Sequence, residues 1–253
     1  MHVLIIPSSF PVEGISYSGV FYMKQSKALA FSGLKVGVIS PEIRSIRSFF
    51  RLSSVKDWFK EYEYSLGQDS CVMRKVGYNF FPFTSFPVQL LFSFFSDILV
   101  RKYIKKHGKP DVIHAHASLW AGVAARRIAK RLNIPFVLTE HSSAILKMSL
   151  SKREVMLTKK VLNSAYQVIA VSTILQSKIR SLIEVNVKVI PNLVDPLRFR
   201  DRIGRDKNLL LTVGTLYKAK GVELLLHAFS TSLKRNNDLR LTIVGDGPEF
   251  TPL

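Results

Sequence analysis

Short apolar runs of strand length alternate with helix-length segments through the first 190 residues. They fall at His2 to Ile6, Leu34 to Ile39, Asp111 to His114, Phe136 to Thr139, Gln167 to Val171 and Val187 to Ile190. Such alternation is the pattern of an α/β fold built on a parallel sheet. Local punctuation agrees with it. Ser151 with Glu154 forms a capping-box pattern before "VMLTKKVLNSA", and Thr173 with Gln176 forms a second. Gly33 ends "FYMKQSKALAFSG" where a left-handed helix cap is expected.

The stretch Ile190 to Lys207, "IPNLVDPLRFRDRIGRDK", breaks the alternation with two prolines and dense charge, and reads as a linker. Beyond it, "NLLLTVG" and "DLRLTIVG" flank the helical "VELLLHAFSTSLKRN", which predicts one βαβ unit with a right-handed crossover. The expected division is therefore 1–189, a linker over 190–207, and 208–253. One βαβ unit cannot bury both faces of its sheet, so the last segment is expected to be the incomplete start of a second domain. "VGDGPEFTPL" ends just past a Gly-rich turn, with Pro252 in what would be the next helix's opening turns. An interrupted reading frame is the expectation this raises.

Charge narrows the partners. Against 37 Lys and Arg stand 18 Asp and Glu, a formal +19. Zinc-finger spacings and RNP-type aromatic boxes are lacking and the basic residues are dispersed, which argues against nucleic acid. An anionic bilayer surface and a phosphorylated substrate remain. The stripe "FFPFTSFPVQLLFSFFSDILV" (Phe80 to Val100) runs into Arg101, Lys102, Lys105, Lys106 and Lys109. It reads either as a membrane-contacting face or as a core-facing helix with a solvated basic end. Pro82, Pro87, Gln89 and Asp97 argue against a membrane span. Met1 to Phe10 lacks a basic n-region, and the single Cys71 excludes an internal disulfide and any multi-Cys zinc site. A cytoplasmic protein, peripheral at the inner face of the membrane if the stripe makes contact, is the expectation.

Four segments hold residues suited to chemistry. "VGTLYKAKG" sets Gly214 at a strand end, with Lys220 and Gly221 opening the next helix, where free N–H groups and an ammonium favour a phosphate. "DVIHAHASLWAG" carries His114 and His116 at i, i+2, on one side of a strand. "TEHSS" brings Glu140 and His141 to the next strand end. A His/His/Glu metal site is conceivable there, but with no H-E-x-x-H helix a polar substrate pocket is preferred. "SSFPVEGISYSGVFYMKQ" places Gly14 and Gly19 in a loop before a helix whose start could face a diphosphate. There is no G-x-S-x-G, and nothing pairs Cys71 with a histidine, so covalent hydrolase chemistry has no support.

In this order the segments resemble nucleotide-sugar glycosyltransferases of family 4, retaining enzymes of two-Rossmann (GT-B) architecture. "YSGVFYMKQSKALA" resembles the family's glycine loop and first helix, while "DVIHAH", "VLTEHSS" and "VIAVS" resemble its acceptor-domain strands. "VIPNLVDPLRF" resembles the interdomain I-P-N-G-V-D signature, with Leu193 in place of glycine, and "VGTLYKAKG" and "VGDGPE" resemble the donor-diphosphate motif and the turn after it. The resemblance implies transfer of a sugar from a nucleotide-sugar donor to a saccharide or lipid-linked acceptor, with no cofactor besides the donor as co-substrate. It assigns the donor diphosphate to Gly14, Gly19, Gly214, Lys220 and Gly221, the transferred sugar to His116, and the acceptor side to Glu140 and His141. Two departures stand out. Thr215 occupies a position where the family often has arginine, and the donor-binding E-x7-E segment has no counterpart within the 253 residues. The resemblance thus implies an acceptor domain plus the first βαβ of a donor domain, inactive alone. The rival expectation is a non-catalytic, membrane-associated acceptor-binding half that pairs with a separate donor chain.

Overall fold

The computed structural model describes residues 1–11, 18–45, 60–67, 69–80, 85–194, 204 and 206–250; Gly14 lies outside them. The chain divides into two compact units, Met1–Val194 and Asp195–Leu253.

The first unit is built on an eight-stranded sheet in the order β3-β4-β2-β1-β5-β6-β7-β8. The strands are β1 (His2–Pro7), β2 (Lys35–Ser45), β3 (Glu61–Tyr64), β4 (Ser70–Asn79), β5 (Val112–His116), β6 (Phe136–Glu140), β7 (Gln167–Ala170) and β8 (Val187–Val189). All neighbours pair in parallel except β3, an antiparallel edge on β4. Among the described residues, the helices are α1 (Val20–Phe31), α2 (Ser85–His107), α3 (Val123–Leu132), the short α4 (Ser143–Leu146), α5 (Lys152–Ser164) and α6 (Thr173–Leu182). β1 lies mid-sheet and all six of its residues are buried, which explains why it reads as an unbroken apolar run rather than an alternating one.

The part of the aromatic stripe from Phe92 onward belongs largely to the core, and residues 81–84 lie outside the described ones. Phe92, Phe95, Leu99, Val100 and Tyr103 of α2 are buried, while Leu90 and Phe94 stay exposed. Its rings reach the sheet because β2 and β4 offer glycine there: a Cβ on Gly37 would collide with the Tyr103 ring, and one on Gly77 with the Phe95 ring. The basic end is partly neutralised, since Lys102 and Lys106 pair with Glu61 and Glu63 of β3. Four helical residues rise about 6 Å, close to two residues of a strand at about 6.7 Å, so the two ladders stay in step. Among the described residues, no helix is long and apolar enough to cross a membrane.

Local signals fare differently at different ends. Gly33 has φ +79, and the bonds Gly33 N–H to Ala30 O and Leu34 N–H to Leu29 O close a Schellman motif. Ser151 and Glu154 make the reciprocal capping box of α5. The cap expected at Thr173 sits one residue earlier: Ser172 is extended, its Oγ accepts from Leu175 N–H at 3.2 Å, and Thr173 is already helical. β3 and β4, and β2 beyond Ile39, were not expected from the sequence. Their charges are paired between elements: Glu42 with Arg74, and Glu61 with Lys75.

The second unit contains β9 (Leu209–Val213), a 3₁₀ turn (Lys218–Lys220), α7 (Val222–Leu233) and β10 (Arg240–Val244). β9 and β10 pair in parallel, giving the βαβ unit.

Candidate functional site

In the first unit a cavity of about 700 Å³ opens at the C-terminal ends of β1, β2, β5 and β6, the edge where open parallel sheets bind ligands. One wall is the start of α1. Gly19 caps that helix with φ +81, and a Cβ there would lie 2.6 Å from Ser9 O, so glycine is required on both conformational and steric grounds. The close turn brings Phe21 and Tyr22 onto the strand ends. Tyr22 OH lies 3.2 Å from Ser8 Oγ, and burial pushes its phenol up to about 12, so it stays protonated.

Behind Tyr22 lies a histidine cluster. His114 and His116 project to the same side of β5, ring centroids 4.3 Å apart. His114 Nε2 is 2.8 Å from Thr139 Oγ1, and His116 Nδ1 is 3.2 Å from His141 Nε2. Tyr22 covers both His116 and His141, at 4.7 and 5.1 Å between centroids. Burial lowers His114 and His141 to about 4 and His116 well below its ordinary value, so the three rings are neutral at neutral pH. His116 is fully buried; His141 forms the cavity wall. In a neutral pair sharing one hydrogen bond, one remaining nitrogen carries a proton and the other a lone pair. The remaining atoms are His116 Nε2 and His141 Nδ1, both without a hydrogen-bond partner among the described residues. Both atoms are buried, so the cluster holds one unpaired donor and one unpaired acceptor beneath Tyr22 whichever ring donates internally.

Glu140 organises the loops rather than facing the cavity. It is fully buried; Oε2 accepts from Ser118 N–H, and Oε1 from His141 N–H and Ser142 N–H, each at 2.9 Å. Burial pushes its carboxyl up, and the three N–H donors pull the other way. These bonds hold Ala117 at φ +71 and ψ 138, a conformation that costs an L residue about 1–3 kcal/mol. From there the chain enters a π-helical turn, Ser118–Gly122. With both Glu140 oxygens occupied and His114 bonded to Thr139, these side chains do not converge on a metal.

The opposite wall escaped sequence reading. Arg74, almost wholly buried, pairs with Glu42 at 2.8 Å and donates from Nη2 to Phe10 O at 3.0 Å. Phe10 and Trp120 add apolar surface. The available signal was the apolar–charged run "CVMRKVGY", which fits a strand as well as a loop.

In the second unit the turns after β9 and β10 are joined. Gly214 N–H donates to Val244 O and Leu216 N–H to Asp246 O, both at 2.9 Å, and Glu249 N–H to Leu216 O at 3.1 Å. Gly245 and Gly247 let the two turns approach, since a Cβ on either would strike backbone of Gly214 or Leu216. Gly221 caps α7 with φ +66, beside a cavity of about 180 Å³ lined by Lys218 and Glu249 among others; Lys220 is exposed in the 3₁₀ turn. The structure therefore gathers Gly19, His116, Glu140 and His141 in one unit, and Gly214, Lys220 and Gly221 in the other. The expectation that Cys71 has no histidine partner is corrected: the end of the helix Ser85–His107 brings His107 beside Cys71 at the far edge of the first unit.

The model of Glycosyltransferase Family 4 matches residues 20–198, and that of glycosyl transferases group 1 matches 194–253. TuaC of Bacillus subtilis, a glycosyltransferase assigned to teichuronic acid biosynthesis, is 27% identical over all of this chain and 67% of its own length. The D-inositol 3-phosphate glycosyltransferase of Frankia alni is 30% identical over 64% of this chain. This chain covers 46% of that protein's length. Among solved structures, Anabaena Alr3699/HepE in complex with UDP superposes with a TM-score of 0.63 at 16% identity, over 98% of this chain and 61% of that one. That likeness shows a GT-B fold.

Proposed function

The chain belongs to glycosyltransferase family 4, and from that premise we propose that it serves a retaining transfer of sugar from a nucleotide-sugar donor to a saccharide or lipid-linked acceptor in cell-surface polysaccharide assembly. The observation that carries this reading is the strand-end cavity in which Gly19 seats Tyr22 over the neutral His116–His141 pair. HepE, of the same fold, is solved in complex with UDP, and TuaC is assigned to teichuronic acid biosynthesis; both support the substrate class.

In this reading the first unit holds sugar and acceptor. A neutral histidine pair beneath Tyr22 places no full charge at the cavity wall, which suits a ligand rich in hydroxyls. The exposed Lys220 and the N–H groups where α7 begins suit the leaving diphosphate. Retaining transfer here uses no side-chain nucleophile and no cofactor beyond the donor; positioning and electrostatic stabilisation lower the barrier.

The 253 residues contain no counterpart of the donor-binding E-x7-E segment. Charged hydrogen bonds are worth about 1.5–3 kcal/mol each, so missing two or three removes several decades of affinity, at about 1.4 kcal/mol per decade. The chain alone is expected to show no transfer. The test compares it with a version extended by the C-terminal portion of TuaC, across a panel of nucleotide sugars and lipid-linked saccharides. Transfer only by the extended chain is expected. Transfer by the 253-residue chain overturns its inactivity, and no transfer by a folded extended chain overturns the assignment.

A second reading, an acceptor-binding half that pairs with a separate donor chain, is favoured by the exposure of Leu211 and Val213 in the second unit. Co-purification of a chain bearing E-x7-E supports it. Peripheral membrane contact rests on the +19 charge and on exposed Phe80, Leu90 and Phe94, while Phe92, Phe95, Leu99 and Val100 of the stripe are core. Failure to sediment with anionic vesicles at low salt removes it.

A further inference from the structure

At the edge of the first unit's sheet opposite the cavity, three metal-ligand side chains meet. Cys71 is the second residue of β4, Glu63 lies on the edge strand β3, and His107 is the last residue of α2. Helix α2 runs against the parallel strands, so its C-terminus arrives where β4 begins. The β3–β4 register, with Glu63 opposite Met73 and Tyr64 opposite Val72, brings Glu63 to the same corner. Cys71 Sγ is 3.7 Å and His107 Nε2 3.6 Å from the same Glu63 Oε1. All three ligand atoms lie within 4.8 Å of one another.

These separations match a coordination shell. Zinc bonds of about 2.3 Å to sulfur and about 2.0–2.2 Å to nitrogen and oxygen, in a tetrahedron, set ligand atoms about 3.4–3.6 Å apart. Two of the three edges are already near that length. The groups around the cluster hold the ligands in place. The His107 ring stacks on Tyr103 at 4.7 Å, and Tyr103 OH is fixed by His2 Nε2 at 2.7 Å. Lys106 takes Glu63 Oε2, leaving Oε1 toward the other two ligands. His107 Nε2 is itself buried and has no hydrogen-bond partner among the described residues.

We propose that Glu63, Cys71 and His107 form a zinc site that staples the edge strand β3 to the end of α2. A thiolate and an imidazole select zinc over the hard cations magnesium and calcium. On binding, the Cys71 S–H bond breaks, its proton passes to solvent and a sulfur–zinc bond forms; water completes the fourth position. The site is structural and separate from the sugar-transfer cavity. Without metal, the same contacts are a weak S–H···O bond and a 3.6 Å approach of His107 Nε2 to the Glu63 carboxylate, and zinc titration separates the two cases.

The experiment titrates the chelator-stripped 253-residue chain with zinc chloride by calorimetry, and with cobalt(II) by absorption. One zinc per chain is expected, together with a sulfur-to-cobalt charge-transfer band. Cys71→Ser and His107→Gln should each weaken binding by at least about 10-fold, while His227→Gln, in the second unit, leaves it unchanged. Circular dichroism confirms that each variant is folded, and hydrogen exchange should show zinc protecting β3 amides in the parent chain alone. Lack of stoichiometric binding, absence of the charge-transfer band, or affinity unaltered in both folded ligand variants overturns the site.

Discussion

β1 and β9 are alike in sequence and opposite in surroundings. "HVLIIP" is buried at every position; "LLLTV" is exposed or half-exposed at every position. β1 has strands on both sides and helices packed on both faces, whereas, among the described residues, β9 pairs with β10 alone. In the second unit, Leu216 and Val222 are the buried apolar side chains among the described residues. Apolar character gives a strand the capacity to be buried, and its neighbours decide whether that capacity is used. A strand pair with one helix can cover only one face of its sheet, and Leu211 and Val213 stay exposed here.

The largest expected consequence is in hydrogen exchange. Amides of β1, β5 and β6 should be protected to the level of global unfolding, and those of β9 and β10 should exchange far faster. Equal protection in the two units would break the comparison. Next come paired core substitutions. Leu138→Ala, at a wholly buried position, should cost about 2–5 kcal/mol. Leu211→Ala, at a position 61% exposed, should stay within about 0.5 kcal/mol. Urea denaturation measures both.

Acid gives an intermediate effect confined to the first unit. The folded values of His114 and His141, about 4, lie below their ordinary 6.5, so the unfolded chain takes up protons first. Stability contributed by keeping these rings neutral is therefore lost as pH falls from about 6.5 toward 4. Glu140, whose carboxyl is raised, acts with the opposite sign. The unfolding midpoint should fall across this window, and His141→Gln should flatten the dependence; an unchanged slope would remove the cluster from the account. The smallest contrast is between glycines. Gly19→Ala forces a side chain into φ +81 against Ser9 and should cost about 1–3 kcal/mol. Gly214→Ala meets open space and should cost within about 0.5 kcal/mol. Thermal melts of the two variants sharpen the comparison.

Legibility in the sequence follows the same division between buried and exposed elements. Central strands such as β1, β5 and β6 carry continuous apolar runs and can be read one by one. β3, β4 and the end of β2 cannot, because "EYEY" and "MRK" become strand-like only when Glu61 meets Lys75 and Lys102, and Arg74 meets Glu42. The same holds at the cavity. "HAH" and "TEH" stand out by composition, and the fold brings them together. The Arg74–Glu42 wall joins residues of two different strands and has no signature in either segment. Glu140 was visible as a residue, but its three bonds to backbone N–H groups depend on how two loops fold against each other.

Those three bonds also set how this protein can be recombined with its relatives. The loop after β5 and the loop after β6 are joined through one carboxylate, with Ser118 on one side and His141 and Ser142 on the other. A chimera that imports either loop alone separates a buried acid from its donors, whereas one that imports both carries the arrangement intact. For exchange between homologues, Ala117 to Ser142 is one cassette.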